Sequence, residues 1–162
     1  MKKLAIYFLI LLLMFTVTVS CLGEGVGIGY QVTRPASGFS IKIPVKDNFY
    51  LQPTFSYSVA QKPESINGHL AFGVRGIDFL PTRGDFHPYM GLSWGYSENF
   101  SGSTLETTSV TKGGNGYEAF MGIEYQKYAL RPALEIGMGT MAKVDGSYYA
   151  GAIVNCSLIY YF

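Results

Sequence analysis

Few residues in this chain could do chemistry, and they are scattered. The two histidines stand in the strings His69-Leu70-Ala71 and His87-Pro88-Tyr89. A general base needs a nucleophile within hydrogen-bond reach, and neither string supplies one locally. Cys21 and Cys156 are the two cysteines; without Cys or His neighbours they make no zinc site. Cys156 falls on the apolar side of an alternating segment, where it reads as a small hydrophobe and not as half of a structural disulfide. Gly25 to Gly29 carries a GxGxG spacing, but no helix follows it as a dinucleotide site requires. Neither a phosphate loop nor a metal cluster is present in the pattern. The reading is therefore of a chain that is not an enzyme and needs no cofactor.

The remaining candidates are charges. Lys42, Lys46, Arg75, Glu118, Glu124, Arg131 and Glu135 each fall on the polar side of an alternating segment, commonly beside glycine. Isolated buried charges are costly, so such residues are expected to pair with one another. The set reads as a paired polar core that blocks flow, with an ion path as the alternative. A two-residue turn at Lys127-Tyr128 puts Glu124 directly opposite Arg131.

The elements that must hold these residues have a period of two, the signature of strands. The last nine residues show it plainly: Val154, Cys156, Leu158, Tyr160 and Phe162 alternate with a set that includes Asn155 and Ser157. Eight such segments are predicted, at 25–33, 39–46, 49–60, 69–80, 86–99, 116–126, 128–142 and 148–162. In the fourth, the phase slips near Gly76, which implies a bulge that returns Ile77 and Phe79 outward and Asp78 inward. Connections at 47–48, 81–85 and near 127 are short, whereas 61–68 and 100–115 are longer. Pro44, Pro53, Pro88 and Pro132 lie within strands but close to the short-turn end, where water can satisfy the carbonyls they leave unpaired.

Of 162 residues, 48% are hydrophobic, 15% aromatic and only 14% charged, with 20 glycines. Soluble domains carry about 25% charge, so the composition suits sheet with an apolar surface. Met1 to Ser20 has Lys2 and Lys3, then an apolar run from Leu4 to Phe15, the pattern of a secretory signal peptide. Residues 1–21 are read as that leader, cut near 20–24, and 22–162 as one domain. The run is shorter than the roughly 20 residues a spanning helix needs. Thr18 to Cys21 resembles a lipoprotein processing site with Thr18 in place of the usual Leu, so Cys21 is either lipidated or removed. Without the leader lysines, ten basic residues stand against eleven acidic ones. No electrostatic footprint for nucleic acid remains.

A bulky apolar face opposite a narrow, glycine-rich polar face fits a sheet closed in lipid, because hydrocarbon leaves no backbone group unpaired. The expected fold is all-β: an eight-stranded antiparallel up-and-down transmembrane β-barrel in the bacterial outer membrane, short turns periplasmic and long loops outside. Outward aromatics should form two interfacial belts. Phe49, Tyr125, Tyr128, Tyr160 and Phe162 lie toward the periplasm, and Tyr57, Trp94, Tyr96, Tyr117 and Tyr148 toward the exterior.

The sequence resembles the small outer-membrane β-barrel family typified by outer-membrane proteins A and X. Pro88 to Tyr96 (PYMGLSWGY) is similar to that family's Pro-Tyr-x-Gly-x-Gly strand, with Ser93 replacing a glycine. Phe72 to Leu80 and the terminal Tyr160 to Phe162 add to the likeness. The resemblance implies outer-membrane lipid as surroundings, and recognition of Leu158, Tyr160 and Phe162 by the barrel-assembly machinery. It implies a structural or interaction role through loops such as Phe100 to Asn115, for a ligand the sequence does not name. A narrow channel for small or apolar solutes is the alternative. Lipid A deacylase barrels carry a His-x-Ser pattern that neither histidine here matches, so a lipid A-modifying enzyme is the weaker reading.

Overall fold

The computed structural model describes residues 25–34, 36–62, 65–102, 109–142 and 148–162, with side chains except at 61–62, 65–66, 102, 109–112, 142 and 148. The leader, the fate of Cys21 and the side chain of Tyr148 lie outside these residues. Eight antiparallel strands follow one another around a closed barrel. They are β1 (Gly27–Val32), β2 (Gly38–Lys46), β3 (Phe49–Lys62), β4 (Ser65–Phe79), β5 (Phe86–Gly102), β6 (Ser109–Tyr125), β7 (Leu130–Ala142) and β8 (Tyr148–Tyr161). β8 returns to β1, pairing Tyr161 with Gly27 and Cys156 with Val32. Closure removes the sheet edge that an open arrangement would expose.

Alternation sets the two faces. Val154 is 71% exposed while its neighbour Asn155 is 1%. On β3, Leu51, Phe55 and Tyr57 are exposed while Gln52 and Thr54 are buried. The barrel is inverted relative to a soluble core, with apolar bulk outside and polar groups within. Two glycines make room for the inward rings. A Cβ on Gly122 would lie 2.6 Å from the Tyr89 ring, and one on Gly91 would collide with Phe120.

Three expectations are corrected. The phase does not slip at Gly76: β4 pairs without a break with both β3 and β5. Ile77 and Phe79 therefore point inward, where they form an apolar cluster with Tyr89, Phe120 and Ala133, and Asp78 points outward and is exposed. At this end rings and aliphatic groups share the lumen with its charges, so an apolar pair in the inward phase needs no bulge. Secondly, the long connection at 100–115 is largely strand. Phe100 pairs with Val110 and Ser101 with Ser109, after β6 absorbs one extra residue between Thr111 and Gly114, opposite Glu98. Lys62 likewise pairs with Ser65, so little of 61–68 is loop. Thr and Val suit strands, but beyond the apolar band most residues on both faces are polar or small and the period-two signal fades.

The third correction concerns Lys46. It ends β2 where the β2–β3 register shifts between Pro44 and Lys46, and its side chain is exposed. It is not a lumen residue.

Candidate functional site

The lumen is built from inward positions of every strand, and its charges form linked layers. We call the end where β1 begins and β8 finishes proximal, the other distal. Nearest the proximal end, Lys42 on β2 donates from Nζ to Glu124 Oε2 on β6 at 2.6 Å, with both groups buried. The ammonium also sits 4.5 Å from the Phe79 ring centroid and 5.3 Å from that of Tyr89. Glu124 Oε1 accepts from Gln126 at 2.9 Å and from the Tyr161 hydroxyl at 3.3 Å. Arg131 lies 3.9 Å from Oε1 and 4.0 Å over the Tyr161 ring. Glu124 is not directly opposite Arg131, because it pairs with Ala133 across a turn longer than two residues. The contact is diagonal.

One layer further in, Arg75 on β4 donates to Glu135 on β7 at 2.6 Å and to Gln52 at 3.2 Å. Gln52 passes the chain on to Ser40 at 2.6 Å. The Tyr89 hydroxyl donates to the other Glu135 oxygen at 2.6 Å, and the Arg75 guanidinium stacks 3.9 Å over Phe120. Asn155 then links layers, donating to Glu118 at 2.7 Å and to Glu135 at 3.2 Å. Each interior cation has a carboxylate and a ring face, which offsets the loss of water.

Distal to these layers, residues of the β1–β2 connection pack into the lumen. Thr33 is buried and its hydroxyl donates to Glu118 Oε2 at 3.3 Å, across the barrel on β6. Ser93 on β5 donates to the same oxygen at 3.4 Å. Ala36 is 3% exposed and packs 3.1 Å from where a Gly73 Cβ would stand. The Arg34 guanidinium covers the Tyr149 ring at 5.4 Å. Gly38, at φ +154°, turns the chain back, and a Cβ there would meet the Phe55 carbonyl. The gap beneath the turn, lined by Thr33, Thr54, Arg75 and Ser93, encloses only about 10 Å³.

Lys42, Arg75 and Arg131 therefore face Glu118, Glu124 and Glu135 in one network, and Lys46 stands apart. Alternation placed Gln52 and Tyr89 inward but did not mark them as network members. Tyr161 escaped notice because Leu158 to Phe162 is apolar on both faces. Thr33 gave no signal, since only tertiary folding carries its turn into the lumen. His69 Nδ1 lies 2.9 Å from Asn99 Oδ1 on the distal inner face, and His87 lies against the Phe79 ring, centroids 6.5 Å apart.

Outward rings gather at both ends. Proximally, Phe86 and Tyr125 lie 5.0 Å apart, Tyr125 and Tyr128 6.1 Å, and Tyr160 and Phe162 5.3 Å, while Phe49 is exposed at the proximal end of β3. Distally, Phe72 meets Trp94 at 5.8 Å and Tyr96 at 5.5 Å, Tyr57 stacks with Phe100 at 6.3 Å, and Tyr117 is exposed. Leu158 shares the outward side of β8 with Tyr160 and Phe162.

Arg131→Ala is expected to lower stability by about 1 kcal/mol, since its ion pair is long and its side chain is partly exposed. Lys46→Ala is expected to leave the unfolding midpoint in detergent unchanged. Urea titrations of the two variants side by side check both.

No family model matches the sequence, and no curated protein matches it. Among solved structures, the chain is similar to Neisserial surface protein A (NspA), with 13% identity and a TM-score of 0.55, over 85% of this chain and 93% of that one. It is also similar to Ail, the attachment invasion locus protein of Yersinia pestis, with 10% identity and a TM-score of 0.48, over 85% of this chain and 100% of that one. At such identities the likeness to the Neisserial protein is one of fold.

Proposed function

We propose that the chain is an integral barrel of the bacterial outer membrane, with a closed lumen that serves stability and distal hairpins that carry interactions. The observation that carries this reading is the inversion of the faces. Leu92 and Met138, near the middle of their strands, are 69% and 71% exposed, while Glu124 inside is fully buried. Apolar surface on that scale needs hydrocarbon beside it, and the two sets of outward rings suit the two interfaces. The short proximal turns then face the periplasm. The apolar proximal run of β8, with Leu158, Tyr160 and Phe162, suits recognition by the barrel-assembly machinery.

A non-enzymatic role fits the histidines, neither of which has a hydrogen-bonded nucleophile among the described residues. The packed ionic layers and the inward turn favour a barrel that does not conduct. β5 and β6 are 17 residues each against 6 in β1, so their hairpin stands furthest from the membrane and is the natural place for a partner to dock.

A tag inserted in the β5–β6 connection, within 103–108, is expected to be labelled on intact cells. The purified barrel is expected to give no steady openings in a planar bilayer. A tag reached only after the envelope is permeabilised, or sustained conductance, would count against this function.

A further inference from the structure

We infer that the outer wall of β4–β8 holds a specific phospholipid whose headgroup carries an ammonium, with Asp78 as the headgroup contact. This rests on the membrane reading above and says which lipid that surface selects. The wall is not smooth. Gly76, Leu92, Ala119, Met138 and Ala152 stand side by side on five successive strands. Small and large side chains alternate along that row, so dents at Ala119 and Ala152 flank the ridge at Met138, while the Phe49 ring lies over Gly76. Together with the next row toward the proximal end, these dents form an apolar groove of about 1060 Å³. Met90 and Met121 face each other in that second row, and their flexible thioethers can mould to a chain.

The groove ends at a charge. Asp78 pairs with Phe49 on one side and with Met90 on the other, and it lines the groove. It points outward two residues before the proximal turn, at the level of the proximal rings. Among the described residues its carboxylate has no hydrogen bond or ion pair, unlike Glu118, Glu124 and Glu135 within. An unneutralised carboxylate at a membrane interface attracts a cation and repels an anionic headgroup. Acyl chains in the groove with an ammonium above Asp78 satisfy both features with one molecule. An anionic phospholipid fills the same groove but meets the carboxylate with like charge. The proximal position assigns the lipid to the periplasmic leaflet.

The refolded barrel is placed in nanodiscs of equal parts phosphatidylethanolamine and phosphatidylglycerol with identical chains, then extracted into mild detergent. Native mass spectrometry counts the lipid it keeps. Retained phosphatidylethanolamine should exceed phosphatidylglycerol about fivefold, the effect of roughly one interfacial charge. Asp78→Asn should keep as much lipid and bring the ratio near one. Ala119→Leu with Ala152→Leu fills two dents and should keep several-fold less lipid of either kind; if that pair does not fold, Ala152→Leu alone reads the same effect more weakly. Equal retention by the unmodified barrel, a preference that survives Asp78→Asn, or undiminished retention in a folded filled variant would each overturn the inference. A chain that never enters the nanodisc defeats the membrane reading instead, a different result from insertion with unselective lipid.

Discussion

Glu124→Ala should destabilise the barrel by about 3–5 kcal/mol, the cost of leaving a buried charge without its partner. Glu124 is fully buried and is the carboxylate 2.6 Å from Lys42. Its other oxygen accepts from Gln126 and Tyr161 and faces Arg131. Removing it leaves Lys42 held only by ring faces and frees three further polar groups at once. Lys42→Met combined with Glu124→Gln should recover much of the loss, because it removes the unpaired charge while keeping an acceptor for the neighbours. Urea titration of the two variants in detergent, followed by tryptophan emission or electrophoretic mobility, gives both numbers. A double variant no better than Glu124→Ala would mean that the stranded ammonium is not what makes the loss large.

The second large effect lies on the opposite face. Val154 is 71% exposed near the middle of β8. On a soluble protein, arginine at so exposed a position changes stability by no more than about 0.5 kcal/mol. Facing the bilayer midplane it costs about 2–4 kcal/mol. Val154→Arg should therefore lower the stability of the barrel in lipid vesicles by that amount. The same substitution at Phe162, beside the proximal rim, should cost far less, since an interfacial arginine reaches headgroups. Equal small effects at both sites would place the outward face in water.

How much of this was legible depended on whether the two faces of a strand differ chemically. On β3, Leu51, Phe55 and Tyr57 against Gln52 and Thr54 left no doubt, and Arg75, Glu118 and Glu135 fell inward by alternation. Around Gly76 to Phe79 the pattern misled, because the proximal lumen holds apolar side chains beside its charges. Ile77 and Phe79 look like lipid-facing residues until Tyr89, Phe120 and Ala133 are seen packed on them. That misreading also hid Asp78, which the expected bulge had turned inward. Lys46 continued the polar phase of β2, and only the register shift after Pro44 puts it outside the network.

The distal hairpin was hidden for the opposite reason. Between Phe100 and Asn115 most residues are polar or small, and Leu105 and Val110 set no period of two, so nothing distinguished a wet sheet from a loop. A tag at Gly113 would fall in β6, where even a Cβ runs into the Tyr96 ring. The connection at 103–108 is the better site. The β1–β2 turn had no local signature of packing into the lumen, since Thr33, Ala36 and Gly38 make an ordinary turn string. Its inward fold follows from partners far away in sequence, Gly73, Ser93 and Glu118.

The central claim is that the outward apolar wall is solvated by acyl chains. It is tested most directly by removing the amphiphile from the purified chain, residues 22–162, and following size and sheet content together. The account predicts that the chain stays a discrete, sheet-rich particle only with detergent or lipid bound, and aggregates when these are withdrawn. A monodisperse monomer in plain buffer, with an unchanged sheet spectrum and no bound detergent, would contradict it.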